Sequence, residues 1–222
     1  MSRKWKKAEV TDAEAARRAL DVAGQLMGTN PARVERAERR HDRMREALTG
    51  VLEMLPDAQK QEMLVRAAFE GNDAVVEQLL AAGVDVDATA SFQLEELDLS
   101  FDRETALVAC VCAGQVRTLE LLLDAGADVS KAHADGFTAL LGAVSHDRAC
   151  LEPLLRAGAN TDAQDRNGET ALIQAAGSGR KDIVEKLLAF GADRALIDHR
   201  GMTALQHAEE GGHSKIVSLL QE

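Results

Sequence analysis

The sequence predicts an all-α chain folded as a solenoid of stacked helix-turn-helix units, and three observations carry that expectation. The threonines Thr105, Thr138, Thr170 and Thr203 step by 33, 32 and 33 residues, so one unit recurs. Each unit holds two short apolar runs at helical spacing, as Ile183, Val184, Leu187 and Leu188 do in the clearest copy, Asp165–Asp198. Aromatic residues are scarce, with one Trp, five Phe and no Tyr, so the core must be built of Leu, Ala, Val and Ile. That composition suits thin helix pairs, each of which buries its apolar face only against its neighbours.

In Asp165–Asp198 an Asp-x-x-Gly turn leads into Thr170, Ala171 and Leu172, and the run Ile173, Ala175, Ala176 ends at Gly179, which closes a first helix. The second run stops at Gly191, and the same glycine recurs as Gly126 and Gly158. Further copies run Thr105–Asp128, Thr138–Asn160 and Thr203–Gln221, with a degenerate one at Glu62–Asp85. A period near 33 carrying T-x-L, A-A, G, L-L and A-G-A-D resembles the ankyrin repeat family, in five repeats over residues 58–222.

The resemblance implies a non-catalytic protein-interaction module, an adaptor, scaffold or inhibitor of a partner protein. It places binding on a concave face of hairpin tips and exposed first-helix residues. In register these are Phe69, Glu70, Glu104, Cys112, Asp135, Phe137, His146, Arg166, Asn167, Glu169, Ser178, His199, Arg200, Met202 and Glu210. The family signature T-P-L-H is altered here. Its Pro is Ala106, Ala139, Ala171 and Ala204, and Val108, Leu141, Gln174 and Gln206 stand for the His that braces neighbouring turns, so weaker bracing is expected. The loop position at which some family members carry a modified Asn is Asp87, Ser130, Asp162 or Ala195, so that modification is not implied.

Residues 1–57 lack the repeat. A basic tail with Trp5 precedes a capping box, Thr11 to Glu14, which starts a helix through Ala16, Leu20, Ala23 and Met27. Asn30 and Pro31 open a longer helix with the apolar stripe Val34, Ala37, Met44, Leu48, Val51 and Leu55. Its arginines Arg33, Arg36, Arg40 and Arg43 alternate with Glu35, Glu38, Asp42 and Glu46, the pattern of a solvated face with helix-spaced ion pairs. A helical-hairpin cap on the first repeat is the expectation, because that repeat would otherwise leave an apolar face in water. A separate interaction or dimerisation element is the other reading.

Repeat 1 has Met63, Leu64, Ala67 and Ala68, then Val75, Val76, Leu79 and Leu80, and Glu62 replaces the threonine, so its entry turn is expected to be missing. A loop insertion follows at about 84–104, where Phe92, Leu94, Leu97, Leu99 and Phe101 lie among seven acids and one arginine. The alternation fits an extended finger with one apolar side, or apolar residues folded back on repeats 1 and 2. The partner-binding set therefore includes Phe92, Leu97, Leu99 and Phe101. In repeat 3, Pro153 falls within the second helix, where a proline removes a bond and clashes with the preceding turn, so a kink is expected.

The formal net charge is −11 and is uneven: residues 1–57 carry 12 basic and 10 acidic side chains, leaving 14 and 27 for residues 58–222. An acidic array is a poor nucleic-acid surface and suits a protein partner with a basic or mixed surface. The alternative is attachment to nucleic acid or an anionic membrane through the basic N-terminal helices. Cys110, Cys112 and Cys150 follow neither a zinc nor a redox spacing and read as buried free thiols. No phosphate loop, dinucleotide fingerprint, H-E-x-x-H or G-x-S-x-G is present, so no catalytic residue, cofactor or metal ligand is assigned. His133, His199, His207 and His213 are assigned to turn and capping hydrogen bonds. Without a secretory or membrane-spanning stretch, a soluble cytoplasmic monomer is expected.

Overall fold

A computed structural model of the chain describes Leu52 and residues 54–94, 99–133, 135–145 and 148–221, with 92–94, 99–102 and 148 described by their backbone. The expected helix pair lies outside the described residues up to residue 51, as do Leu97 and His146. Five helix pairs follow one another. They are α1 (Asp57–Glu70) with α2 (Asp73–Ala81), α3 (Ala106–Cys112) with α4 (Val116–Asp124), and α5 (Ala139–Ser145) with α6 (Leu151–Arg156). The last two pairs are α7 (Ala171–Gly177) with α8 (Lys181–Ala189) and α9 (Ala204–Glu210) with α10 (Ser214–Gln221).

The recurring threonine sets where each first helix begins. Its hydroxyl accepts the amide of the third helical residue, Val108 on Thr105 at 3.2 Å, Leu141 on Thr138 at 3.3 Å, Ile173 on Thr170 at 3.2 Å and Gln206 on Thr203 at 3.4 Å. A cap of this kind contributes about 0.5–2 kcal/mol. Seven-residue helices do not persist alone, so packing must hold them. Ala106 to Val111 in α3 and Ala139 to Val144 in α5 are buried without interruption, because these helices form the inner layer. The second helices are amphipathic and bury only one side, Leu119 and Leu122 in α4 and Ile183, Val184 and Leu187 in α8.

Repeat 1 departs as its missing threonine implies. Its first helix has 14 residues, opens at Pro56 without a side-chain cap and buries Leu64, Val65, Ala67 and Ala68. Pro153 does not kink a helix. The second helical segment of repeat 3 starts as a 3₁₀ turn, Arg148–Cys150, and becomes α-helical at Leu151, so the proline sits in the first α-turn. There its missing N–H costs little, since first-turn amides have no helical partner.

The insertion adds strand to an otherwise helical fold. β1 (Thr89–Leu94) and β2 (Leu99–Thr105) form an antiparallel ribbon in which Phe92 pairs with Phe101 and Leu94 with Leu99. The insertion is therefore extended. Its base is packed, with Ala88 and Ala90 buried and β1 running beside α1. A register shift between Ala90 and Phe92 is pinned by Ser91, whose hydroxyl accepts the Arg103 amide at 2.9 Å, and Arg103 adopts a φ of 54°. Thr105 ends β2 and caps α3, so ribbon and solenoid are joined without slack.

Candidate protein-binding face

The turns that lead into repeats 3, 4 and 5 are built by short-range hydrogen bonds. Asp165 Oδ1 accepts the amides of Asn167 and Glu169 at 2.8 and 2.9 Å, and Asp198 Oδ1 accepts those of Arg200 and Met202, both at 2.9 Å. Repeat 3 has His133 where the others have Asp. There Asp135 takes over, accepting the Phe137 amide at 3.1 Å and facing His133 Nδ1 at 2.9 Å.

These tips stack on one another. The His199 amide donates to the Asn167 carbonyl at 2.9 Å, and Gln164 Nε2 donates to the carbonyls of Gly168 and Ile197 at 2.7 and 2.9 Å. The stacking brings Asp135, Phe137, Arg166, Asn167, Glu169, His199, Arg200 and Met202 to one edge. Arg166, Asn167, His199 and Arg200 are exposed there, while Asp135, Phe137, Glu169 and Met202 are half-buried. Phe137 is partly structural: a Cβ placed on Gly142 would lie 3.4 Å from its ring.

The far ends of the first helices belong to the same face. Arg200 at a tip reaches Glu210 at the end of α9, 3.2 Å away. Glu104 and Cys112 hold the corresponding places around α3, and the Glu104 carboxylate is felt at the Cys112 thiol. Burial, with Glu104 adding to it, pushes that thiol up to about 11. Burial likewise raises Cys110, with Cys150 and Cys112 contributing. Both thiols are protonated at neutral pH and are weak nucleophiles. Phe69 is half-buried at the end of α1, and Glu70 and Ser178 are exposed.

The inter-repeat bracing was only partly visible in the sequence. His213 Nε2 meets the Gly177 carbonyl at 3.0 Å, as its place after a turn glycine implies. Gln115 and Arg180 occupy the same place. Gln115 donates to the Phe69 carbonyl at 3.4 Å, and Arg180 to those of Val144 and Ser145. The close approach explains the glycine beneath two of the braces, Gly71 under Gln115 and Gly179 under His213. Gly179 has a φ of 71°, and a Cβ there would stand 2.6 Å from the His213 ring.

Asp87 and Asp162 also bridge repeats, accepting the amides of Asp128 and Asp193 at 2.9 Å each. The altered T-P-L-H signature needs a correction. The third residue of the fourth first helix is Ile173, and Gln174 lies one position later, where its Oε1 accepts the Ser145 hydroxyl at 3.3 Å. At Thr203 the glutamine completes a capping box, its Oε1 accepting the Thr203 amide at 2.8 Å.

Asp198 is the most enclosed acid of the face. The Met202 amide chiefly holds its carboxyl below the usual carboxylate range against the opposing effect of burial, with help from His207 Nε2 at 2.8 Å and the Arg200 amide. At Asp135 burial works upward, but the His133 and Phe137 hydrogen bonds outweigh it and the carboxyl is again lowered. Among the described residues, no group of three or more His, Cys, Asp or Glu is placed to hold a metal ion, and no helix is long and apolar enough to cross a membrane.

Stacked helix pairs with hydrogen-bonded hairpin tips define a helical repeat protein of the interaction type. The family described as ankyrin repeats (3 copies) matches residues 64–165 and 141–222, and the chain belongs to the ankyrin repeat family. It is similar to an ankyrin repeat-containing protein of Treponema pallidum (strain Nichols), 35% identical over 119 residues, which make up 53% of this chain. The matched stretch covers 37% of that protein. Ankyrin repeats are in general protein-interaction modules.

Proposed function

We propose that the chain is a non-catalytic adaptor, scaffold or inhibitor that holds a basic or mixed-surface partner protein on its hairpin-and-first-helix face and on the ribbon. The observation that carries this reading is the row of tips. Their backbones are fixed by hydrogen bonds within and between repeats, while Arg166, Asn167, His199 and Arg200 remain exposed. A rigid backbone with exposed side chains suits recognition, since little backbone entropy is lost on binding. Acids at Glu70, Glu104, Asp135, Glu169 and Glu210 give the face its sign and favour encounter with a basic surface.

The test is affinity for a partner recovered by capture and identified by mass spectrometry. Glu169→Lys with Glu210→Lys is expected to weaken binding about tenfold or more, roughly 1.4 kcal/mol, and most steeply at low salt. Arg36→Glu with Arg40→Glu is expected to leave it unchanged. The reverse pattern would move the protein-binding site to the N-terminal helices, and binding of the whole protein to duplex DNA or anionic vesicles that Arg36→Glu with Arg40→Glu abolishes would support the nucleic-acid or membrane reading.

A further inference from the structure

The ribbon has an edge that no strand among the described residues uses. Its sheet contains two strands, and β1 runs beside α1, whereas the outer edge of β2 pairs with no strand among the described residues. Such an edge is a row of amides and carbonyls ready to pair with another chain. Folded proteins commonly block it with Lys, Pro, other charges or a bulge; β2, Leu-Ser-Phe-Asp-Arg-Glu-Thr, has no Lys or Pro, and its charges and its irregularity gather at Asp102–Glu104, toward the base.

Three further observations say what fits there. The ribbon is preorganised, because the Ser91 bond to the Arg103 amide and the Thr105 cap tie β2 to α3. The left-handed Arg103 interrupts the strand near its base, which leaves Leu99–Asp102 as the regular edge. Residues 84–104 carry seven acids against Arg103 alone, so a second copy of the ribbon is repelled and a cationic strand is attracted. Along β2 the apolar Leu99 and Phe101 alternate with Ser100 and Asp102, and a matching strand would alternate in the same way.

We infer that the partner enters as an extended segment of alternating basic and apolar residues, which pairs its backbone with the open edge of β2 as a third strand. This rests on the protein-binding function proposed above and names the form in which the partner is held. Backbone pairing supplies affinity, and alternation with charge supplies selectivity.

The probe is a terminally blocked octapeptide of alternating lysine and valine, titrated against the whole protein, with two further versions N-methylated on one or the other set of alternate residues. The parent peptide is expected to bind and to slow amide exchange in residues 99–102. One methylated version should lose about tenfold or more in affinity, because its pairing amides are gone, and the other should match the parent.

Replacing Phe92–Phe101 by a Gly/Ser linker should abolish binding without changing the thermal melt of the repeats. Equal binding by both methylated peptides, undiminished binding to the linker variant, or no binding to the native protein would each overturn the inference. If the peptide fails while Glu169→Lys with Glu210→Lys still weakens the captured partner, the third strand is wrong and the face stands. If the peptide behaves as expected and the charge reversals change nothing, the strand stands and the face falls.

Discussion

The junction between the first two repeats and the junction between the last two are braced on different edges of the same stack. At the first, the contacts lie on the second helices and the loop: the Thr118 hydroxyl donates to Asp73 Oδ1 at 2.7 Å, Arg117 pairs with Asp73 at 2.9 Å, and Lys131 reaches the Asp87 carbonyl at 2.7 Å. At the last, Ala195 stands where Asp87 stands, and the contacts move to the tips through Gln164, Asn167 and His199. The brace after the turn glycine, Gln115 or His213, is common to both. The difference teaches that repeats of one chain can be joined through different side chains while the helices stack alike. Repeat 1 enters its first helix at Pro56 without a hairpin, and the ribbon stands where repeat 2 would carry its tip.

Both junctions rest on the same apolar core, so the largest effects should ignore the difference. Leu122→Ala and Leu187→Ala, each fully buried, are expected to cost roughly 2–5 kcal/mol in urea melts, as large-to-small changes in packed cores do. The exposed Arg166→Ala should stay within about 0.5 kcal/mol. A ranking in which Arg166 mattered more would show that the repeats are not held by their second-helix cores.

The edge-specific prediction is smaller. Thr118→Val keeps the shape but removes one of the two partners of Asp73 in the first junction and leaves Arg117, at a cost of about 1 kcal/mol. Gln164→Ala removes two partly exposed bonds at the last junction, and about 1 kcal/mol or less is expected globally. Amide exchange separates the two. Thr118→Val should speed exchange in α4, and Gln164→Ala in the Asp198 hairpin and α9. If both changes loosened the same helices, the two edges would not act independently.

The smallest effect is confined to acid. Because the folded state lowers the Asp198 carboxyl, the stability it contributes is complete above the ordinary carboxylate value, about 3.9, and is lost as pH falls through the lowered one. Asp198→Asn should therefore melt lower than the native protein at pH 5, and the gap should close as the pH is taken toward 2. A gap independent of pH would mean that Asp198 acts through shape alone. Asp135 predicts the same behaviour for the repeat 3 hairpin, weakened by its greater exposure.

Much of this was legible in the residues themselves. The threonines and turn glycines marked the helix starts and ends, and the tips fell where the Asp-x-x-Gly pattern put them. His213 is legible because its type matches the family pattern, whereas Gln115 and Arg180, in the same register, carry side chains outside that pattern. The alternation around Phe92 and Phe101 indicated extended chain, but neither the register shift at Ser91 nor the left-handed Arg103 has a residue-type signature. Pro153 predicts a kink only if the helix around it is regular. In the fold the preceding turn tightens to 3₁₀ instead of bending.

The sequence by itself determined what is decided within about four residues: the threonine caps, the Asp turns, the glycine stops and the 33-residue period that repeats them. Tertiary structure alone decided which side chains meet across the stack, from Asp162 with Asp193, 31 residues apart, to Gln115 with Phe69, 46 apart. The reason is geometric. A local hydrogen bond is fixed by the dihedrals of a single turn, while a contact between repeats depends on the summed lengths and angles of two helices and a loop. One shortened turn or one inserted ribbon therefore reassigns its partners without altering any local rule.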